Sequence, residues 1–219
     1  MVKSEEKPFW DVEEEIGFVK IKCPMDSVEY KVWNKGTQDE IEQVSHVLSR
    51  VRRDVNTLLI YLCKNPQLWM QKPIAYGIIH TLDIHLPSLC KYFDKVVTGS
   101  GDLNLLNDPE FEIFNYQEMT PNKYGIIGLN KPKVINTIKV NIDGVPTDYE
   151  IAGKRSIFLT LRDQRNWQLI EYPKIMDLVI HELTHTTCND VRWKEDNHAP
   201  PYQSYHTLMR KWARECGIM

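Results

Sequence analysis

The stretch DLVIHELTHTTCND, residues 177–190, carries His181 and His185 four positions apart, with Glu182 directly after the first. On a helix, residues four apart lie on one face, so the two imidazoles can converge on a single ion. Neutral imidazole nitrogen is a good ligand for zinc, and two ligands held by one rigid helix lose little freedom on chelation. Glu182 would then project beside the metal, placed to take a proton from an activated water and hand it to a leaving amine. The plainer alternative is an apolar helix whose histidines only make hydrogen bonds. The setting favours the metal: a strong strand runs into this helix and a histidine-bearing loop follows it.

A hydrolytic zinc site takes three protein ligands and leaves one position open. His198 is the expected third ligand, because EDNHAPPY is a proline-stiffened loop that can present it back to the helix. Asp190, Glu195 and Asp196 are the alternatives. His206 falls within the following helix and is expected to pack or to face solvent. One zinc ion per chain is the implied cofactor.

These residues need a scaffold. Alternation in GFVKIKC and VEYKVWN, separated by residues 24–27, predicts a short hairpin. From Thr37 to Tyr61, Ile41, Val44, Leu48, Val51, Val55 and Leu58 recur three or four apart, and the stripe continues to Leu62. Thr37 as N-cap and Glu40 three residues later form a capping box. A second helical patch is expected from Lys72 to Leu86, with TGSGDLNLLNDPE as a loop after it. Strands are expected beyond Phe111: a β-branched run, an Asp143-Gly144 hairpin turn, and a final strand from Ser156 to Arg162. Two helices close the chain, one opening near Pro173 and one from Pro201 to Cys216.

Four segments, IIGLNKPKVI, SIFLTLRD, YPKIMDLVIHELTH and NHAPPYQSYHTLMRKWARECG, resemble in order those of WLM-type metalloproteases. The counterparts there are the Gly-Leu-Asn segment, the edge strand ending in Leu-Arg, the HExxH helix and the third-histidine segment. That family is related to the Spartan and SprT-like proteases. The likeness spans residues 124–217 and implies a zincin fold with zinc-dependent endopeptidase activity, acting on proteins crosslinked to DNA or otherwise modified. It makes His181, His185 and His198 the ligands and Glu182 the acid and base. The chain departs from the pattern in its twelve residues between His185 and His198, and in having no Gly before His198. The aromatic residue expected after the third histidine is represented by Tyr202 or Tyr205.

The fold class that follows is α+β. A zincin-like half, residues 111–219, combines a small antiparallel or mixed sheet with the HExxH helix. A mainly helical N-terminal half with a short hairpin, residues 1–110, completes it, and the two can form one continuous domain. In such a fold the strand of Ser156, Phe158 and Thr160 would be an edge to which an extended substrate adds as another strand; it can equally be a core strand. Tyr202 or Tyr205 could supply a donor to the oxyanion, or could pack behind the site.

Composition narrows the partners. Over 219 residues, 42% are hydrophobic, 26% are charged and the net charge is −3, which fits a folded globular chain with no global attraction to nucleic acid. The best local patch for nucleic acid is Arg50, Arg52 and Arg53 in RVRRD, whose ordinary role is a solvated helix face. No apolar run approaches the roughly 20 residues that cross a bilayer, and the first ten residues read as a frayed acidic tail without the apolar core of a signal peptide. The expected setting is intracellular and soluble, with a protein or peptide substrate and no membrane partner. Five scattered cysteines without a CxxC pair suit free thiols, although Cys23 or Cys188 could reach a metal. His80, Asp83 and His85 in HTLDIH share no helical face well and are not expected to form a second metal site. Two other functions compete: a zinc-stabilised binding or structural protein without turnover, for example of a viral particle or chromatin assembly, and a zinc hydrolase of non-protein amides or cell-wall peptides.

Overall fold

The computed structural model describes residues 17–65, 67–70, 114–120, 125, 127–142, 145–163, 165–187, 198 and 200–219. Outside these fall the acidic tail, the expected helix from Lys72 to Leu86 with its loop, the HTLDIH cluster, the Asp143-Gly144 turn, Cys188, and the alternative ligands Asp190, Glu195 and Asp196. The fold is mixed α and β, built on one five-stranded sheet.

The expected hairpin is present as β1 (Phe18–Lys22) and β2 (Glu29–Trp33), paired antiparallel with Phe18 opposite Trp33. The long helix α1 (Gln38–Lys64) begins where the capping box places it: the Glu40 amide donates to the Thr37 hydroxyl at 3.3 Å and the Thr37 amide to the Glu40 carboxylate at 2.7 Å. Ile41, Val44, Leu48, Val51, Val55, Leu58 and Leu62 are all buried. At about 1.5–3 kcal/mol per buried aliphatic side chain, this stripe contributes on the order of 10–20 kcal/mol before chain entropy is set against it. A four-residue helix, α2 (Gln67–Met70), follows.

Strands β3 (Phe114–Glu118), β4 (Gly128–Ile142) and β5 (Val145–Leu159) complete the sheet in the order β1-β2-β3-β5-β4. β3 runs parallel to both β2 and β5, while β4 and β5, of 15 residues each, pair antiparallel. Its register shifts between Pro132 and Asn136, where proline cannot donate to a ladder. The strand expected from Ser156 to Arg162 is therefore the end of a longer one that stops at Leu159, and Arg162 makes only an isolated bridge to Leu169.

β5 is also not an edge. Ser156 lies opposite Lys131 on one side and Asn115 on the other, Phe158 opposite Leu129 and Gln117, and the Thr160 amide donates to the Ile127 carbonyl at 2.8 Å. The expected substrate-binding edge at Ser156, Phe158 and Thr160 is thus corrected: its backbone groups are engaged by flanking strands, and the outer strand on this side is β4.

Two helices cover the sheet beside α1: α3 (Tyr172–Thr187) and α4 (Pro200–Glu215). Ile175, Val179 and Leu183 enter the core as their spacing predicts, while Leu178 is half-buried. α1 ties both ends of the chain together. The Tyr172 hydroxyl donates to Asp54 at 2.7 Å, and the Tyr61 hydroxyl donates to Glu215 at 2.9 Å. A buried ion pair does the same across the sheet, with Arg162 2.9 Å from Glu118 and donating to the carbonyls of Lys35 and Trp33. The hairpin, α1 and the C-terminal helices consequently share one apolar core. Among the described residues, no helix is long and apolar enough to cross a membrane.

Candidate metal centre

α3 is held so that its polar face meets α4. His181 and His185 stand one turn apart with their Nε2 atoms 3.3 Å from each other, and His198 brings its Nε2 to 3.1 Å from that of His181. The candidate ligand atoms of these three residues all lie within 4.8 Å of one another. Two nitrogens each about 2.0–2.1 Å from a tetrahedral ion stand about 3.3 Å apart, so the separations suit one shared cation. Among the described residues, His198, the expected third ligand, is the one the fold brings in. Its carbonyl accepts from Gln203 at 3.3 Å, which anchors it just ahead of α4.

Burial, with His198 and His206 nearby, pushes the His181 imidazole down to about 4. It is therefore neutral near pH 7, the form that can donate a lone pair to a metal.

Tyr202 holds the cluster together. Its ring centroid lies 4.7 Å from that of His185, 4.8 Å from His198 and 5.3 Å from His181, and its hydroxyl donates to the His181 carbonyl at 3.2 Å. That bond fixes Tyr202 behind the histidines. Of its two expected roles, an oxyanion donor or a packed tyrosine, this hydrogen bond accords with the second. Tyr205 is placed elsewhere: it is buried in the apolar core, one residue off the face that α4 turns to α3.

Glu182 is 4% exposed and borders an open cleft of about 550 Å³ between the start of β4 and helices α3 and α4. Burial pushes its carboxyl up to about 8; a cation bound beside it would draw it back toward the carboxylate. Two residues of β4 shape its place. A Cβ on Gly128 would sit 2.4 Å from the Glu182 Oε1 and 2.7 Å from the Leu178 Cδ1, so only glycine lets this strand approach the helix so closely. Two positions on, the Asn130 amide donates to the Glu182 carbonyl at 2.5 Å. The Gly-Leu-Asn segment thereby gains a physical role: the glycine leaves room for the carboxyl and the asparagine pins the backbone that carries it.

His206 packs against Tyr202, as expected, and also borders the cleft. Its ring centroid is 5.8 Å from that of His181, and it stacks on Tyr202 at 5.7 Å. Arg210, one turn further on, also borders the cleft and meets Asp177 of α3 at 2.9 Å. His198, Tyr202, His206 and Arg210 recur every four residues, the arithmetic that joins His181 to His185. This spacing was available in the sequence; what it lacked was a reason to aim that face at α3.

The arginines of RVRRD are engaged within the fold. Arg52 is buried, 3.7 Å from Asp26; Arg50 covers the Tyr172 ring at 3.6 Å; and Arg53 meets Asp54 at 3.3 Å. The solvated-face reading suits Arg50 and Arg53 but not Arg52, which a turn of the β1–β2 hairpin covers. Cys23 is buried among the apolar residues of the core.

Compared with protein-family models, curated proteins and solved structures, the chain gives no match, and the reading of the site rests on its own residues.

Proposed function

We propose that this chain is a zinc-dependent endopeptidase. The observation that carries the reading is the convergence of three imidazoles, with the His181 nitrogen 3.3 Å from that of His185 and 3.1 Å from that of His198 and all three ligand atoms within 4.8 Å of one another, next to a buried glutamate on the wall of an open cleft. His181, His185 and His198 would hold the ion, and three nitrogen ligands leave a fourth position free, as hydrolytic zinc sites require. When bound, zinc acidifies water and polarises a carbonyl.

The remaining work belongs to the chain. Glu182 accepts the proton of the attacking water and delivers it to the amine that leaves, with Asn130 and Gly128 fixing where its carboxylate stands. Tyr202 keeps the three rings from turning away from one another. The substrate is a protein or peptide whose extended backbone lies along the outer side of β4 near Gly128 to Lys131, entering the cleft as an added strand.

The decisive experiment measures zinc and turnover together. Purified protein should hold about one zinc per chain, and Glu182→Gln should keep that zinc while cleaving an unfolded protein substrate about 10²–10⁴-fold more slowly. A wild-type chain that holds zinc and cleaves no protein would instead be a metal-stapled binding protein.

A further inference from the structure

The cleft follows one face of α3 for about two turns. Lys174, Asp177, Leu178, His181 and Glu182 recur at the three- and four-residue steps of that face, and all of them border it. In the turn before the metal ligands, the charges are met within the chain: Lys174 lies 2.9 Å from Glu171, and Arg210 lies 2.9 Å from Asp177. The apolar surface there stays open. Ile127 borders the cleft and is 57% exposed, while Leu178 is half-buried. Both flank the close approach of β4 to α3, since a Cβ on Gly128, the residue after Ile127, would stand 2.7 Å from the Leu178 Cδ1. The Thr160 amide donates to the Ile127 carbonyl at 2.8 Å and holds that backbone in place. Two aliphatic side chains fixed in a concave site gain most from a third that displaces their water.

We propose that Ile127 and Leu178 form a specificity subsite that takes a large aliphatic or aromatic side chain of the substrate, from a residue within two positions of the cleaved bond. The distance follows from two repeats. Leu178 and Glu182 are four residues apart, about 6 Å along a helix axis, and side chains on one face of an extended peptide repeat about every 6.6–6.8 Å. A peptide that sets its carbonyl beside Glu182 therefore sets a side chain one or two residues away over Leu178. This rests on the endopeptidase reading and names the substrates which that reading left open. An acidic side chain would find Lys174 and Arg210 already paired, and a cationic one would find Asp177 so. A polar one would give up water at the aliphatic pair and gain no hydrogen bond from it.

The test uses the full chain loaded with zinc. Cleavage sites in an unfolded protein are read by sequencing the products, and Leu, Ile, Phe or Met should be enriched at one fixed position within two residues of the bond. Matched peptides carrying leucine or serine at that position should then differ about 10- to 100-fold in kcat/KM. Ile127→Asp should shrink that ratio about tenfold and improve cleavage of the matching lysine peptide, with zinc content unchanged. Ile127→Ser, a milder change should the Asp form fail to fold, should shrink the ratio in the same direction. In a Glu182→Gln background the uncleaved leucine peptide should bind more tightly than the serine peptide, a readout that does not depend on turnover. Cleavage sites with no apolar enrichment within two residues, equal affinities of the two peptides, or a leucine-to-serine ratio that neither Ile127 variant changes, overturns the subsite while leaving the endopeptidase standing. A wild-type chain that holds zinc but cleaves no protein overturns the endopeptidase, and the subsite with it.

Discussion

Two glutamates are buried among the described residues, and their surroundings differ in one respect that separates structure from chemistry. Glu118, at the end of β3, is pushed up to about 7 by burial, but the Arg162 guanidinium and the Trp33 amide pull against that shift. Its two oxygens are committed to partners that link β2, β3 and the segment after β5. Glu182 is pushed up to about 8 by burial alone. It borders a cleft with His181 and His198, and what would stabilise its charge is a cation bound beside it. A desolvated carboxylate with a built-in counter-ion is a staple; one without is a group waiting for a ligand.

The comparison breaks most sharply where the staple is cut. Arg162→Met should cost about 3–5 kcal/mol of stability by stranding Glu118, read as a shifted denaturation midpoint; a midpoint unchanged from wild type would mean that Glu118 is simply protonated in the fold.

A methyl group at Gly128 tests the other side. Gly128→Ala meets the ends of the Glu182 and Leu178 side chains, and both must shift for β4 to keep its place, so some stability is lost while zinc content should change little. The carboxyl should nevertheless be displaced from the cleft wall, and a misplacement near 1 Å can cost about 10²-fold in turnover. Unaltered kcat would show that the position of Glu182 does not matter to the reaction.

The gentlest probe is pH. The folded chain holds the Glu182 proton up to about 8, well above the ordinary carboxyl value near 4.5. Folded protein thus binds more protons than unfolded across that window, so the group's effect is absent below its lower end and becomes destabilising as pH rises through it. Glu182→Gln removes this penalty. In metal-free protein its melting temperature should exceed that of wild type by more at pH 8 than at pH 5, and zinc should erase the difference by supplying the charge. A pH-independent offset would sink the account of Glu182 as an unpaired buried acid.

How much of this was legible beforehand follows from range. α1 could be read to its first residue, since Thr37 and Glu40 satisfy helix-end amides three residues apart and the stripe from Ile41 to Leu62 repeats within one element. The HExxH pair was legible for the same reason. His198 could be chosen from its loop, because Pro200 and Pro201 make that approach stiff. The edge strand was not: Ser156, Phe158 and Thr160 alternate as any strand does, and nothing local says that β3 pairs on one side and β4 on the other. Tyr202 and Tyr205 lie three residues apart on α4, yet one braces the histidines and the other enters the core. His206 was passed over because its four-residue spacing from His198 and Tyr202 acquires meaning only opposite α3.

The sequence by itself determined the local geometry: where helices start, which side chains share a face, and that two imidazoles and a carboxyl sit on adjacent turns. Those relations are set by backbone periods and by hydrogen bonds between residues three or four apart. Only the tertiary structure decided that Gly128 touches Glu182, that Arg162 reaches Glu118 and that His206 borders the cleft. These contacts join residues tens of positions apart, and they depend on sheet order and helix docking, which burial of the whole core selects at once.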